Sequence, residues 1–101
     1  MSLRYRITPK AKEDLKNIGR YTQQKWGKEQ RNRYLKNLYD RFSWLAENPE
    51  LGRLRPEVKE HYYSYAQGEH IIFYIVSDHM IDIIGIPHQK MDVPNYFLTQ
   101  T

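Results

Sequence analysis

The chain has 101 residues, no cysteine and a net charge of +4, so it is long enough for one domain, 1–101, with a modest core, and disulfides and thiolate metal sites are excluded. Its longest unbroken apolar run, Ile71–Val76, is far shorter than the roughly 20 residues that cross a membrane, and the N-terminus lacks the apolar core of a signal peptide. We therefore expect a cytoplasmic protein that makes no membrane contact.

The first half of the chain predicts a strand and two helices. Leu3–Ile7 alternates apolar and basic residues, as a half-buried strand does, and Thr8-Pro9 is a typical helix start. Apolar residues at three- and four-residue steps then predict a helix that ends near Trp26. A second helix is predicted from Lys28 to Ala46, ahead of an Asn-Pro pair. Helices joined this tightly form an antiparallel hairpin.

The second half predicts three strands after a loop at 50–57. The strand candidates are His61–Ala66, His70–Val76 and His79–Ile86, and short turns separate them. The second and third are so apolar that we expect both of their faces to be covered, one of them by the helical hairpin. We predict an α+β domain: an N-terminal strand, an antiparallel helical hairpin and a three-stranded antiparallel meander, in one twisted sheet with the helices on one face.

Charge is distributed unevenly along the chain. Residues 1–60 hold fifteen Lys and Arg against eight Asp and Glu, a net +7, whereas 61–101 hold one Lys against four acidic residues, a net −3. This asymmetry favours an acidic partner. Tyr62, Tyr63 and Tyr65 lie on a strand without nearby cations, so core packing explains them better than base stacking. We expect no sequence-specific binding of nucleic acid.

Four histidines recur at nine-residue intervals, which raises the question of a metal site. In the predicted meander His61 and His79 lie at one end of the sheet, and His70 and His88 lie at the other. Four ligands therefore do not converge, and two imidazoles alone make a poor zinc site. We expect neither a metal nor a cofactor.

The segment GIPHQKMDVPN, residues 85–95, changes from apolar to polar within a few residues. Metal-free RNA cleavage needs a general base, a general acid and a cation, and His88, Lys90 and Tyr96 are near one another in sequence. Alternatively, His88 ends the last strand and Tyr96 packs a tail. A proline on each side limits the backbone, so the segment is also a candidate for a short exposed binding arm.

Nearly the whole chain resembles the ParE branch of the RelE/ParE superfamily of bacterial toxins. The resemblance rests on the short N-terminal strand and on the segments TPKAKEDLKNIGRYTQQKWG, LAENPELGRLRPEV, GEHIIFYIV and IPHQKMD. It implies the toxin of a type II toxin–antitoxin module, of the plasmid-stabilising kind, that binds DNA gyrase, traps its cleaved-DNA complex and blocks replication.

On that resemblance the protein is not an enzyme, and a ParD-like antitoxin neutralises it in a hetero-oligomer. The net charge of residues 1–60 and the groove of a helical hairpin predict that this antitoxin has an acidic, amphipathic C-terminal segment. The candidates for gyrase binding are the polar residues of the last motif: His88, Gln89, Lys90, Met91 and Asp92.

The ribonuclease branch of the same superfamily supplies the alternative. Its members place an Arg two residues after the glycine that opens the middle strand, and further basic residues with a Tyr near the C-terminal end. Here His70 takes the first position, and His88 to Lys90 offer one fixed cation, with Tyr96 near the tyrosine position. Gyrase poisoning is therefore favoured over a ribosome-dependent mRNA endonuclease that uses His88, Lys90 and Tyr96. A third alternative is a non-toxic basic adaptor.

Pro87 departs from the aliphatic residue expected before this histidine in ParE-like chains. Since proline donates no hydrogen bond to a sheet, we expect the last strand to end, or to lie at an edge, at this point.

Overall fold

The computed structural model describes residues 4–98, so Leu3, where the first predicted strand begins, lies outside the described residues. The predicted α+β class is confirmed. The elements are β1 (Arg4–Ile7), α1 (Pro9–Trp26), α2 (Lys28–Glu47), a 3₁₀ turn (Pro49–Leu51), β2 (Arg53–Leu54), β3 (Tyr63–Gln67), β4 (His70–Ser77), β5 (Met80–Gly85) and α3 (Val93–Leu98).

The helical hairpin forms as predicted. The side chain of Thr8 caps α1 by accepting a hydrogen bond from the Ala11 N–H at 3.3 Å, and its hydroxyl donates to the Ile83 carbonyl at 3.0 Å, which joins the helix start to β5. A single residue, Gly27, links α1 to α2 with a φ of +94°. This left-handed backbone favours glycine, and it reverses the chain within one residue.

The strands form one five-stranded sheet in the order β1-β5-β4-β3-β2. The predicted antiparallel meander of β3, β4 and β5 is confirmed. The sheet as a whole is mixed, because β1 lies parallel to β5, with Tyr5 beside Ile81 and Ile7 beside Ile83. Parallel neighbours need a long connection, and here the helical hairpin and the strands β2, β3 and β4 all lie between β1 and β5 in the chain.

The 3₁₀ turn, β2 and α3 were not predicted, and the bounds of the predicted strands shift by one or two residues. The loop expected at 50–57 contains β2, which pairs with the start of β3. The strand expected from His61 begins at Tyr63, since His61 has a φ of +68°. The last strand ends at Gly85, two residues before Pro87, as the proline predicted.

The main core lies between the helical hairpin and one face of the sheet. It contains Ala11, Leu15 and Ile18 from α1, Leu38, Phe42 and Leu45 from α2, and Ile72, Tyr74, Ile81 and Ile83 from the sheet. Tyr63 and Tyr65 pack against this core, as predicted. None of the helices in the described part of the chain is both long and apolar enough to cross a membrane.

The other face of the sheet is covered in part by α3. Phe73 lies between the core residues Ile72 and Tyr74 in β4, so its side chain points to the opposite face of the sheet. It is fully buried, and its ring centroid lies 5.1 Å from that of Phe97. Phe97 also contacts Tyr62 at 5.1 Å between centroids, and Val93 is buried. The helix that begins at the end of the candidate arm 85–95 is therefore packed on the sheet through Phe97.

Candidate functional site

The chain between β5 and α3 crosses the end of the sheet beside the β3–β4 turn. We call residues 86–92 the 86–92 segment. The Pro87 carbonyl accepts a hydrogen bond from the Ile71 N–H at 2.9 Å, and the Gln89 N–H donates to the Glu69 carbonyl at 2.9 Å. The Gln89 side chain donates to the Gly68 carbonyl at 2.8 Å. The segment is thus held to β4 and to the β3–β4 turn by backbone hydrogen bonds at Pro87 and Gln89, and it forms an irregular extension of the sheet.

The predicted site residue His88 meets His70 at this point. The two form an isolated β-bridge with ring centroids 5.2 Å apart, at the end of the sheet where the predicted meander placed both. His70 is buried, and the Tyr34 hydroxyl lies 2.6 Å from its Nδ1. Burial first, and the neighbouring His88 second, lower the pKa of His70 to about 4. At neutral pH His70 is therefore uncharged and has no proton to spare as an imidazolium acid.

His88 is more accessible, with 28% of its side chain exposed. Its Nδ1 accepts the Lys90 N–H at 3.1 Å, so the proton of the neutral ring lies on Nε2. The nearest carboxylate oxygen, on Glu69, is 4.0 Å from that Nε2. This nitrogen is therefore available to donate a hydrogen bond to a bound partner.

Tyr96 extends from α3 to α1 and contacts the carboxylate of Asp14, which was not predicted from the sequence. Its hydroxyl donates to Asp14, and Lys10 lies 4.6 Å from the centre of its ring. The same Asp14 oxygen accepts the Ile86 N–H at 2.8 Å. Burial, followed by the hydrogen bond to Asp14, raises the pKa of Tyr96 far above its ordinary value. The phenol stays protonated at neutral pH and does not serve as a general base.

A cleft of about 470 Å³ lies between α1 and the 86–92 segment. The predicted site residues that line it are His88, Lys90, Met91 and Tyr96, to which β4 adds His70 and α1 adds Asp14, Asn17, Ile18 and Tyr21. Of the remaining candidates, Gln89 and Asp92 are exposed outside the cleft lining. The structure thus brings four of the six candidates to one cleft.

Metal ligands do not cluster at this location. Within residues 4–98, no group of three or more His, Asp or Glu side chains is placed to hold a metal ion. His70 and His88 meet with Tyr34 as the next neighbour, and a phenol is not a usual zinc ligand.

Comparison with known proteins places the chain in a family. A family model for the ParE toxin of type II toxin–antitoxin systems, parDE, matches residues 5–93. The chain belongs to the ParE toxin family. Toxin ParE1 of Mycobacterium tuberculosis is 35% identical to it over 94 residues, which are 92% of this chain and 96% of the relative.

Two solved toxin–antitoxin structures share the fold of this ParE-family chain. The chromosomal ParDE system of P. aeruginosa aligns with a TM-score of 0.74 and 18% identity, over 86% of this chain and 96% of the other. The RelBE2 complex of Mycobacterium tuberculosis aligns with a TM-score of 0.67 and 18% identity, over 88% and 100%. The chain is therefore a ParE-type toxin whose fold is common to the ParE and RelE branches.

Several residues of this site were not predicted from the sequence, among them Asp14, Tyr21 and Tyr34. Asp14 and Tyr34 lie on the helices and contact Ile86 and His70 only after the hairpin has packed on the sheet. Asp14 carried a weak signal, since it is an acidic residue directly before the core residue Leu15 and close to Ile18.

Proposed function

We propose that this ParE-type toxin acts in the cytoplasm by binding DNA gyrase and trapping the complex in which the DNA is cleaved, with no catalytic group of its own. One observation carries the proposal: two of the acid–base groups beside the cleft, His70 and Tyr96, are committed to internal contacts. His70 is uncharged and bound to Tyr34, and Tyr96 is bound to Asp14. The accessible part of the site is a surface of His88 and the exposed Lys90 and Met91.

A ParD-like antitoxin is the proposed regulator, in a hetero-oligomer with the toxin. Support comes from the family and from the two solved relatives, each of which is a toxin–antitoxin system. The charge of this chain supports an acidic tail on the antitoxin. Lys12, Lys16 and Arg20 follow one side of α1 at four-residue steps, all exposed, and no ion pair is found for them among residues 4–98. Like charges at this spacing repel one another, and an acidic segment relieves that repulsion.

The antitoxin proposal predicts a dependence on salt. The affinity of toxin for antitoxin should fall as ionic strength rises, because exposed charge pairs are screened. Titrations at low and high salt measure this. An affinity that ignores ionic strength, or a partner with a neutral or basic tail, contradicts the proposal.

The second candidate function is ribosome-dependent cleavage of mRNA. The observation in its favour is that His88, Lys90 and Tyr96 line the same cleft. Against it, Tyr96 keeps its proton and His70 titrates near pH 4, whereas general acid–base catalysis is most effective with pKa values near the working pH.

Expression from a tightly repressed promoter separates these functions in cells. Filamentation with a DNA-damage response supports gyrase poisoning, rapid arrest of translation supports mRNA cleavage, and normal growth supports a non-toxic adaptor. In vitro, the toxin is incubated with purified gyrase and supercoiled plasmid. Linear DNA should then appear after detergent and protease treatment, and reactions without the toxin should not contain it.

The variant His88→Ala sharpens the comparison between binding and catalysis. A docking residue among several should weaken toxicity only in part, whereas loss of a general acid or base costs about 10²–10⁴-fold. His79→Ala, in the exposed β4–β5 turn, is the matched control. Complete loss of toxicity in His88→Ala with gyrase binding intact would favour catalysis.

A further inference from the structure

The cleft beside the 86–92 segment has an apolar base and an apolar rim. Ile18, Ile86 and Pro87 form the base and are buried. Tyr21 and Met91 form the rim and are 46% and 52% exposed, so the fold does not require them to be covered. Tyrosine and methionine are enriched at protein interfaces. The cleft volume of about 470 Å³ is sufficient for a large side chain from another protein.

The polar atoms at the rim are mostly hydrogen-bond donors with capacity to spare. Nε2 of His88 carries the ring proton, and the Lys90 ammonium makes no described hydrogen bond or ion pair within residues 4–98. Outside the lining but next to the rim, Lys25 donates one hydrogen bond to the Tyr21 hydroxyl at 3.1 Å and keeps two further N–H groups. By contrast, Asp14 already accepts two hydrogen bonds. The complement of this rim is an acceptor, and a carboxylate suits it best.

The apolar rim continues along α1 to the tip of the helical hairpin. Trp26 is 61% exposed, and the Lys25 ammonium lies 5.5 Å from the ring centres of both Tyr21 and Trp26. The two aromatic residues thus belong to one surface, with a cation between them. Tryptophan and tyrosine are the residue types that most often dominate binding energy at protein interfaces.

We propose that this cleft and its extension to Trp26 form the surface that docks the protein target of the toxin. The cleft takes one bulky apolar side chain of the target between Tyr21 and Met91, and a neighbouring carboxylate of the target accepts hydrogen bonds from His88 and Lys90. The target is DNA gyrase, so the inference rests on the proposed function. It adds Tyr21, Lys25 and Trp26 to a docking site that had been limited to the C-terminal motif.

A protein target fits the cleft better than the acidic antitoxin tail or a nucleic acid. The exposed cations of α1, Lys12, Lys16 and Arg20, lie on a different side of the helix from Asn17 and Tyr21, so an acidic tail has its own face. A nucleic acid needs several cations along its phosphates, and of the lining residues one is a Lys and none is an Arg.

Alanine substitutions at the rim test the inference on the full-length protein. Tyr21→Ala and Met91→Ala remove exposed side chains, and Val76→Ala, 43% exposed near the β4–β5 turn, is the control. In the gyrase assay, each rim variant should need about tenfold or more protein to produce the same amount of linear DNA. The control variant should match the unaltered protein, and all variants should bind antitoxin equally.

The absence of cysteine allows a second, direct measurement. Met91→Cys carrying a thiol-linked photocrosslinker should form an adduct with a gyrase subunit, and Val76→Cys should not. Rim variants that poison gyrase normally would overturn the inference and leave the proposed function intact. If the rim variants lost antitoxin binding but still poisoned gyrase, or if Met91→Cys crosslinked to RNA, the cleft would belong to another partner. Unaltered protein that leaves gyrase unaffected would overturn both proposals.

Discussion

Replacing Asp14 by Ala should lower the free energy of unfolding more than most other substitutions of a polar residue in this chain. Only 11% of its side chain is exposed, and it accepts hydrogen bonds from the Tyr96 hydroxyl and, at 2.8 Å, from the N–H of the buried Ile86. A buried donor left without an acceptor costs about 1–3 kcal/mol, and the lost bond to the phenol adds about 1 kcal/mol. We expect a total of roughly 2–4 kcal/mol, which lowers Tm by on the order of 10–20 °C in a domain of this size.

Thermal unfolding followed by circular dichroism measures this loss. Tyr96→Phe removes the phenol hydrogen bond and keeps the acceptor for Ile86, so its effect should be smaller. Asp40→Ala is the matched control, because it breaks the exposed pair with Lys36, whose charged atoms are 2.8 Å apart. Such pairs contribute about 0–1 kcal/mol. The prediction is wrong if the free energies of unfolding of Asp14→Ala and Asp40→Ala differ by less than about 0.5 kcal/mol.

Three further predictions concern the site and the fold. Burial lowers the pKa of His70 from 6.5 to about 4, so between these pH values the unfolded chain binds a proton that the native state does not. The contribution of His70 to the free energy of unfolding is therefore fully present above pH 6.5 and falls by up to about 3 kcal/mol towards pH 4. Urea unfolding across this range should show the slope, and His70→Asn should remove it. Chelators should leave folding and toxicity unchanged, and one equivalent of zinc in the purified protein would contradict this. Gly52→Ala should destabilise by at least about 1–3 kcal/mol, since its Cβ would lie 1.9 Å from the Tyr74 hydroxyl, whereas Gly19→Ala, with 3.4 Å to Leu35, should not.

The elements that were predicted from sequence are those whose signals are local. The Thr8 cap, the apolar stripes of α1 and α2, and the turn at Gly68 each act over a few residues, and each appears where the pattern placed it. The meander placed His70 and His88 at the same end of the sheet, but their direct pairing depends on the register, which shifts between Phe73 and Tyr74.

The elements that were missed depend on contacts between distant parts of the chain. α3 has six residues, too few for a helix to be stable alone, and the packing of Phe97 on Phe73 supports it. The parallel direction of β1 depends on its pairing with β5, which follows it by more than 70 residues, and not on its own sequence. Likewise, Tyr34 meets His70 across 36 residues, and Asp14 meets Tyr96 across 82.

The same contacts that anchor the 86–92 segment also change the chemistry of the groups around it. The segment is held in place because His70 is buried under it and because Asp14 binds both Ile86 and Tyr96. Burial lowers the pKa of His70 and raises that of Tyr96, so both groups are neutral over the physiological range of pH. A surface held in place by hydrogen bonds lowers the entropic cost of binding a partner, whereas proton transfer needs groups that titrate near neutral pH. The arrangement therefore supports the proposal that the accessible side chains of His88, Lys90 and Met91 bind a partner.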